Sequence, residues 1–402
     1  MLTSVRAAVR DMVRGWAGRG ETSYTMVVTT HHRTALLSRL LDYLEAEKAW
    51  FPLVILDSSS EGVARDNADR IARSPLDIRH ATYPVDLDPY LKVREGLRQV
   101  ETAYCSLCAD DDIVLLPGLE QSLRVLARDG DVCATHGTYF NFFDAVSFDL
   151  SYVAYRGPSV LADEPLVRLR QLFSAYEAVY YAVYRTPVLQ AVFRRVEDLR
   201  TVLGRELLTA ALTALSGKVV RIDEFYYGRS TGASFAFQNW HPHRILADTP
   251  ATLFEEYARL RRILRDEFGG GDETREWNST VLDLIFLGYL QPFLRPDVLD
   301  LLIADRLQGQ DAEATAAHLW SVFVRSERAP HPLEPLMDGG KFSPDRFMEK
   351  SPHTDYVLTT STRTNASRTY RIFQEFLFPD ARPPAVVPQQ RLLGLLERLN
   401  AY

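Results

Sequence analysis

The chain has 402 residues, 46% of them hydrophobic and 25% charged, and a net charge of -7. That length allows two or three domains with a sizeable core, and the balance is that of an ordinary globular protein. A net acidic chain lacks the basic footprint of a general nucleic-acid binder, and three cysteines are too few for a disulfide framework, which fits a reducing compartment.

Residues 3–17 have a helical pattern, with Val5, Val9, Met12, Val13 and Trp16 on one face and Arg6, Arg10 and Arg14 on the rest. Such a basic amphipathic helix either packs on its own domain or rests on an anionic membrane surface. The first twenty residues contain no apolar leader core. The longest apolar candidate, 281–294, is short for a membrane span and is broken by Asp283, Gln291 and Pro292. The expected location is cytoplasmic, with peripheral contact at the inner membrane face through the N-terminal helix as the variant.

From Tyr24 a strand-helix rhythm begins. Strands are predicted at 25–30, 52–56, near 77–80, at 103–109 and at 131–135; helices are predicted at 34–47, 61–72, around 91–100 and at 119–128. Strands alternating with helices of that length imply an α/β fold, a mostly parallel sheet with helices on both faces. In open sheets of this kind ligands bind beyond the carboxyl ends of the strands. Thr29-Thr30-His31-His32, Asp57-Ser58 and Asp110-Asp111-Asp112 all lie at such ends.

The aspartate triplet has two readings: a solvated turn after a strand, or a metal site. Two carboxylates about 5 Å apart repel by about 3 kcal/mol at an effective dielectric near 20, and a divalent cation removes that cost. Hard oxygen ligands suit Mg²⁺ or Mn²⁺. Alternation along the strand places Asp110 and Asp112 on one side, with Asp111 turned to the other. Cys105 and Cys108 have the spacing of a redox or zinc pair, but residues three apart on a strand face opposite sides, so both are read as small buried side chains.

The middle of the chain is less regular. Tyr139–Phe143 and Tyr152–Tyr155 are read as extra strands or an acceptor wall, Tyr180–Tyr184 as a strand, Arg205–Leu215 as a helix, and 217–223 as a turn and strand. Beyond residue 242 the pattern turns helical, with helices expected at 250–268, 275–290, 296–306, 310–326 and 366–377 and a break at 379–388. A Gly-x-x-x-x-Gly-Lys-Ser/Thr loop is absent, and the glycines at 15, 18 and 20 precede the first strand with the wrong spacing for a dinucleotide fingerprint.

Met26-Val-Val-Thr-Thr-His-His-Arg33, Leu53-Val-Ile-Leu-Asp57, Cys108-Ala-Asp-Asp-Asp-Ile-Val-Leu-Leu-Pro-Gly118 and Arg205-Glu206 with the strand after Gly217 follow one another in order. Together they resemble the family 2 glycosyltransferases, enzymes of the GT-A fold, over about Tyr24 to Ser234. The resemblance implies a GT-A domain at 24–241; the patterning on either side adds residues 1–23 as an N-terminal helix and 242–402 as a helical C-terminal domain or appendage, for which the family has no counterpart. It departs from the family at His31-His32, at Arg205 in place of an acidic residue, and in the loosely matched Lys92-Val-Arg-Glu-Gly96.

The implied reaction moves a sugar from a nucleoside-diphosphate sugar to an acceptor hydroxyl with inversion. Glu206 is the implied general base, with Glu177 and Asp223 as fallback carboxylates. Thr30, Arg33, Asp57, Arg94, Asp110, Asp111 and Arg229 are the implied donor contacts. Asp110 and Asp112, with His241 or His243, are the implied ligands of Mn²⁺ or Mg²⁺. The acceptor is left open as a glycan, a lipid-linked or a small molecule, as is self-association through the helical C-terminal region. A nucleotide-sugar-binding scaffold or sensor and a sugar-phosphate nucleotidyltransferase are the competing readings.

Overall fold

The computed structural model describes residues 23–143, 149–155, 157–174, 176–230, 250–268 and 389–399, with isolated positions in 281–289 and 337–342. The N-terminal helix and the helices expected at 296–306, 310–326 and 366–377 lie outside the described residues, as does most of 275–290.

The first half follows the expected rhythm. It runs β1 (Tyr24–Thr30), α1 (Thr34–Ala46), β2 (Leu53–Asp57), α2 (Glu61–Ala72), β3 (Ile78–Thr82), α3 (Pro89–Leu97), β4 (Tyr104–Ala109), β5 (Ile113–Val114) and α4 (Leu116–Arg128). The second half contains β6 (Val132–Phe143), β7 (Asp149–Ala154), α5 (Pro165–Ser174), β8 (Val183–Arg185), α6 (Thr186–Phe193), α7 (Val202–Ser216) and β9 (Lys218–Ser230). Further on come α8 (Pro250–Phe268), a two-residue ribbon β10 (Met337–Asp338) and β11 (Lys341–Phe342), and α9 (Gln389–Leu399).

Nine of the described strands form one sheet in the order β3-β2-β1-β4-β8-β6-β9-β5, with β7 on β6. β3, β2, β1 and β4 are mutually parallel, as are β6 and β9, while β8, β5 and β7 join antiparallel. The expected α/β architecture, a sheet covered by helices on both faces, holds.

Alternation along the strands divides the core in two. Val27, Val54, Leu56, Cys105 and Leu107 pack with α3, α5, α6, α7 and α8; Met26, Val28, Leu53, Ile55 and Cys108 pack with α1, α4 and α9. Cys105 and Cys108 therefore face opposite sides, both buried and free.

Three elements differ from expectation. Tyr180–Tyr184 is not one strand: Val179–Tyr181 makes a single 3₁₀ turn, and only β8 after it pairs with the sheet. The Tyr184 hydroxyl donates to the Val179 carbonyl at 2.7 Å and holds this turn closed. β9 runs unbroken for 13 residues where a turn and shorter strand were expected, since it pairs with β6 along its length and with β5 near its end. α9 lies just beyond the segment read as a break; it buries Leu395 and Leu399, and Arg391 reaches the Asp223 carbonyl at 2.7 Å.

α4 follows the aspartate triplet directly and lies close on β9. A Cβ at Gly118 would stand 2.4 Å from the Phe225 carbonyl oxygen and 2.8 Å from the Tyr226 Cα, both backbone atoms that cannot turn aside. Gly118→Ala should therefore lower the unfolding free energy by about 1–3 kcal/mol, the usual cost of overpacking. Urea titration reads this, and an unchanged midpoint would contradict the close approach.

Candidate functional site

Adjacent strands carry the expected polar ends to one level. Thr30 pairs with Asp57 across β1 and β2, and Thr29 pairs with Ala109 across β1 and β4. The Asp110 N–H continues that ladder, donating to the Thr29 carbonyl at 3.2 Å. Three strand ends thus meet at one edge of the sheet because the strands are parallel and in register.

The triplet itself does not alternate as expected. The strand ends at Ala109, and Asp110 and Asp111 form a turn closed by the Asp112 N–H on the Ala109 carbonyl at 3.2 Å. Asp110 and Asp111 consequently share one cation: Arg33 Nη1 lies 3.2 Å from Asp110 Oδ1 and 2.8 Å from Asp111 Oδ2. Arg39 donates to the Asp111 carbonyl at 2.7 Å and fixes the turn from outside. Asp112 faces β9 instead, accepting from the Tyr227 hydroxyl and the Ser230 N–H, both at 2.8 Å.

Burial sets the protonation of these groups. Desolvation, with the neighbouring Asp111 charge, pushes Asp110 up to about 6 against the opposing pull of Thr30 and Arg33. Desolvation and Asp111 push Asp112 up to about 8, with Arg229, Ser230 and Tyr227 opposing. Asp57 goes the other way. Burial disfavours its charge, but hydrogen bonds from His80, Ser59 and Asn67 outweigh burial and hold it below the usual carboxylate range.

Beneath the strand ends lies Lys92, buried on α3. Its Nζ donates to the Thr30 carbonyl at 2.9 Å and to Ser58 Oγ at 2.7 Å, joining β1 to the loop after β2. Sequence reasoning selected Arg94 and passed over Lys92. The available signal was the spacing of Lys92 and Gly96, which places both on the face of α3 that meets the sheet. A Cβ at Gly96 would stand 2.3 Å from Leu56 Cδ1, so glycine lets the helix approach closely enough for Lys92 to reach the strand ends. Arg94 points elsewhere and pairs with Glu95 and Glu197.

On the second side stands α7. Thr201 caps it by accepting the Gly204 N–H at 2.9 Å. Arg205, which stands where the family has an acid, is turned inward. It donates to the Val196 and Leu199 carbonyls, pairs with Asp88, and lies over the Tyr90 ring at 5.4 Å. Asp88 also caps α3 through the Tyr90 and Leu91 N–H groups, so one carboxylate ties the helix of Lys92 to the helix of Glu206.

Glu206 Oε1 accepts from the Tyr176 hydroxyl at 3.1 Å. Burial raises its pKa against the pull of Arg229 and Tyr176. The charge of Arg229 on β9 acts on both Asp112 and Glu206 and favours the ionised form of each. The fallback carboxylates are engaged otherwise: Glu177 accepts the Gly157 N–H at 2.8 Å, and Asp223 faces Arg391.

The residues present suit a hard cation in part. Asp110 Oδ2 and Thr30 Oγ1 are buried and neither makes a hydrogen bond of good geometry, although the Thr30 hydroxyl is close enough to favour the Asp110 charge. An acceptor oxygen left bare in a dry pocket is costly unless a cation or donor completes it. Both oxygens of Asp112 already accept hydrogen bonds. His241 and His243 lie outside the described residues, and no group of three His, Cys, Asp or Glu side chains converges among those described.

Burial pushes Lys92 down to about 8, although Asp110 and Asp57 favour its charge. A lysine in the unfolded chain titrates near ~10.4. Between those values the unfolded state holds more protons than the folded state, so Lys92 makes stability rise with pH across this window. Lys92→Met should flatten that rise in urea titrations run from about pH 7.5 to 10.5. An unaltered slope in the variant would assign the effect to another group.

No protein-family model matches this chain, and neither does any curated protein. Solved structures are similar to it at low identity. S. aureus TarS 1-349 in complex with UDP-GlcNAc is 14% identical over 73% of this chain and 87% of that one, with a TM-score of 0.42. The mannosyltransferase PcManGT from Pyrobaculum calidifontis, in complex with GDP-Man and Mn²⁺, is 13% identical over 80% and 89%, with a TM-score of 0.44. Likeness of this degree carries no inference about substrate or mechanism.

Proposed function

We propose that this protein transfers a sugar from a nucleoside-diphosphate sugar to an acceptor hydroxyl. The observation that carries the reading is the convergence of Thr30, Asp57 and Asp110 at one level of three parallel strands, with the charge of Arg229 coupling Asp112 to Glu206. Parallel strand ends are where such sheets receive ligands, and the two sides supply the two needs of glycosyl transfer.

The first need is to bind and neutralise a departing diphosphate. Arg33, which contacts the triplet, and Arg229, whose charge acts on Asp112, are the guanidinium groups proposed for the diphosphate, and their planar forks match phosphate oxygens. Asp110 and Asp112 are the ligands proposed for Mn²⁺ or Mg²⁺; the bare Oδ2 of Asp110 supports the first, and Asp112 has to exchange a present partner. Such a cation supplies Lewis acidity at the leaving oxygen. Asp57 is the proposed contact for the base or ribose, its position fixed by Asn67, His80 and the Ser59 N–H.

The second need is to remove the acceptor proton. Glu206 is the proposed base: burial raises its pKa toward the working range, where a general base is most effective. Tyr176 orients one of its oxygens and leaves the other for the acceptor. Inversion follows from a single carboxylate acting on the attacking hydroxyl, and the product configuration tests it.

Glu206→Gln should reduce kcat by about 10²–10⁴-fold, the usual span of general-base catalysis, with donor KM little changed. Full activity in that variant would remove Glu206 from the mechanism. Asp110→Asn should weaken donor binding in calorimetry against uridine, guanosine and thymidine diphosphates with and without Mn²⁺, while the fold persists by circular dichroism. Equal affinity in wild type and variant would displace the donor from the triplet. Binding of a nucleotide sugar without turnover on any acceptor tested would favour a sensor over an enzyme.

A further inference from the structure

The start of α7 is not held by its own domain alone. Glu256 on α8 is buried, and its Oε2 accepts from three donors at that helix start: the Arg200 N–H and the Thr201 N–H, both at 2.9 Å, and the Thr201 hydroxyl at 3.1 Å. Its other oxygen accepts from Arg259 Nη1 at 2.6 Å, one turn along α8.

Backbone N–H groups at a helix start have no partners within the helix, and a buried carboxylate there satisfies them and complements the helix dipole. Gly204 completes the contact. A Cβ at that position would lie 2.6 Å from Glu256 Oε2, so glycine in the first turn leaves room for the carboxylate.

The docking of α8 is specific along its length. Glu256, Leu260, Ile263, Leu264 and Glu267 make one buried stripe. At the far end Glu267 pairs with Arg195, just before the turn whose Val196 carbonyl receives Arg205. The two ends of α8 thereby grip both sides of the segment that leads into α7. Glu206 lies five residues beyond Thr201, so the position and rotation of this helix start set where its carboxylate points.

We propose that Glu256 is a positioning residue for Glu206, and that α8 completes the reacting side of the site from beyond the domain boundary read in the sequence. This rests on the transferase reading above. Glu256 touches neither donor nor acceptor groups; it acts by fixing the helix that presents the base.

In the full-length protein, Glu256→Ala should lower kcat by about 10–100-fold, the scale of a misplacement near 1 Å, with donor KM within about twofold. The limb of the pH–kcat profile that belongs to Glu206 should also shift, which a general loss of folded protein would not produce. Gly204→Ala should reproduce both effects in the wild-type background. In the Glu256→Ala background Gly204→Ala should cost much less than it does alone, because the oxygen its methyl strikes hardest has gone and only the Thr201 hydroxyl at 3.0 Å remains near it.

Unchanged kcat and pH profile in a folded Glu256→Ala protein would overturn the proposal. So would effects of the two substitutions that simply multiply. If Glu256→Ala does not fold, Glu256→Gln decides: lower kcat at constant donor KM supports the proposal, and wild-type kcat overturns it. Absence of transfer by the wild type defeats the underlying reading and this proposal with it, whereas equal transfer by wild type and variant defeats this proposal alone.

Discussion

Carboxylates taken out of water must be met by donors or cations, and that requirement organises this molecule. An uncompensated buried charge costs several kcal/mol, far more than any single surface contact returns. Asp57, Asp110, Asp112, Glu206 and Glu256 each meet the requirement differently. Asn67, His80 and the Ser59 N–H satisfy Asp57, Arg33 serves Asp110 and Asp111 together, and β9 supplies a hydroxyl and an N–H to Asp112. Glu206 takes the Tyr176 hydroxyl and the field of Arg229, and Glu256 takes the start of a helix.

These differences separate roles that composition would merge. Asp57 is held ionised and fixed, as suits recognition, whereas Asp110 and Asp112 are pushed toward neutrality until something positive arrives. A cation bound at such a site would couple its binding to carboxylate ionisation, because it would offset the desolvation cost that holds the protons on. The arrangement is also economical in elements. Asp88 joins the helix of Lys92 to the helix of Glu206, and Tyr90 adds a second link through the Val202 carbonyl and the Arg205 guanidinium.

The helix at 250–268 alters the outline of the protein. Its apolar stripe could have belonged to a separate bundle, but Leu260, Ile263 and Leu264 join the same core as α7. Glu256 and Glu267 at either end of that stripe convert a hydrophobic contact into a directed one. Apolar packing fixes little about the rotation of a helix, whereas hydrogen bonds to named N–H groups at its start fix both depth and angle.

The sequence by itself determined the strand-helix order of the first half, the helix at 250–268, and the strand ends that carry Thr30, Asp57 and the triplet. All of these follow from local periodicity, which a short window of residues contains in full. Only the tertiary structure decided that Arg205 turns inward while Glu206 meets the Tyr176 hydroxyl, that Lys92 rather than Arg94 reaches the strand ends, and that Asp111 joins Asp110 on Arg33. It also decided that β9 is one long strand and that Glu256 reaches α7. The partners in these contacts lie tens of residues apart in the chain, as Tyr227 and Asp112 do, and no periodicity within a segment encodes which distant group will satisfy a buried charge.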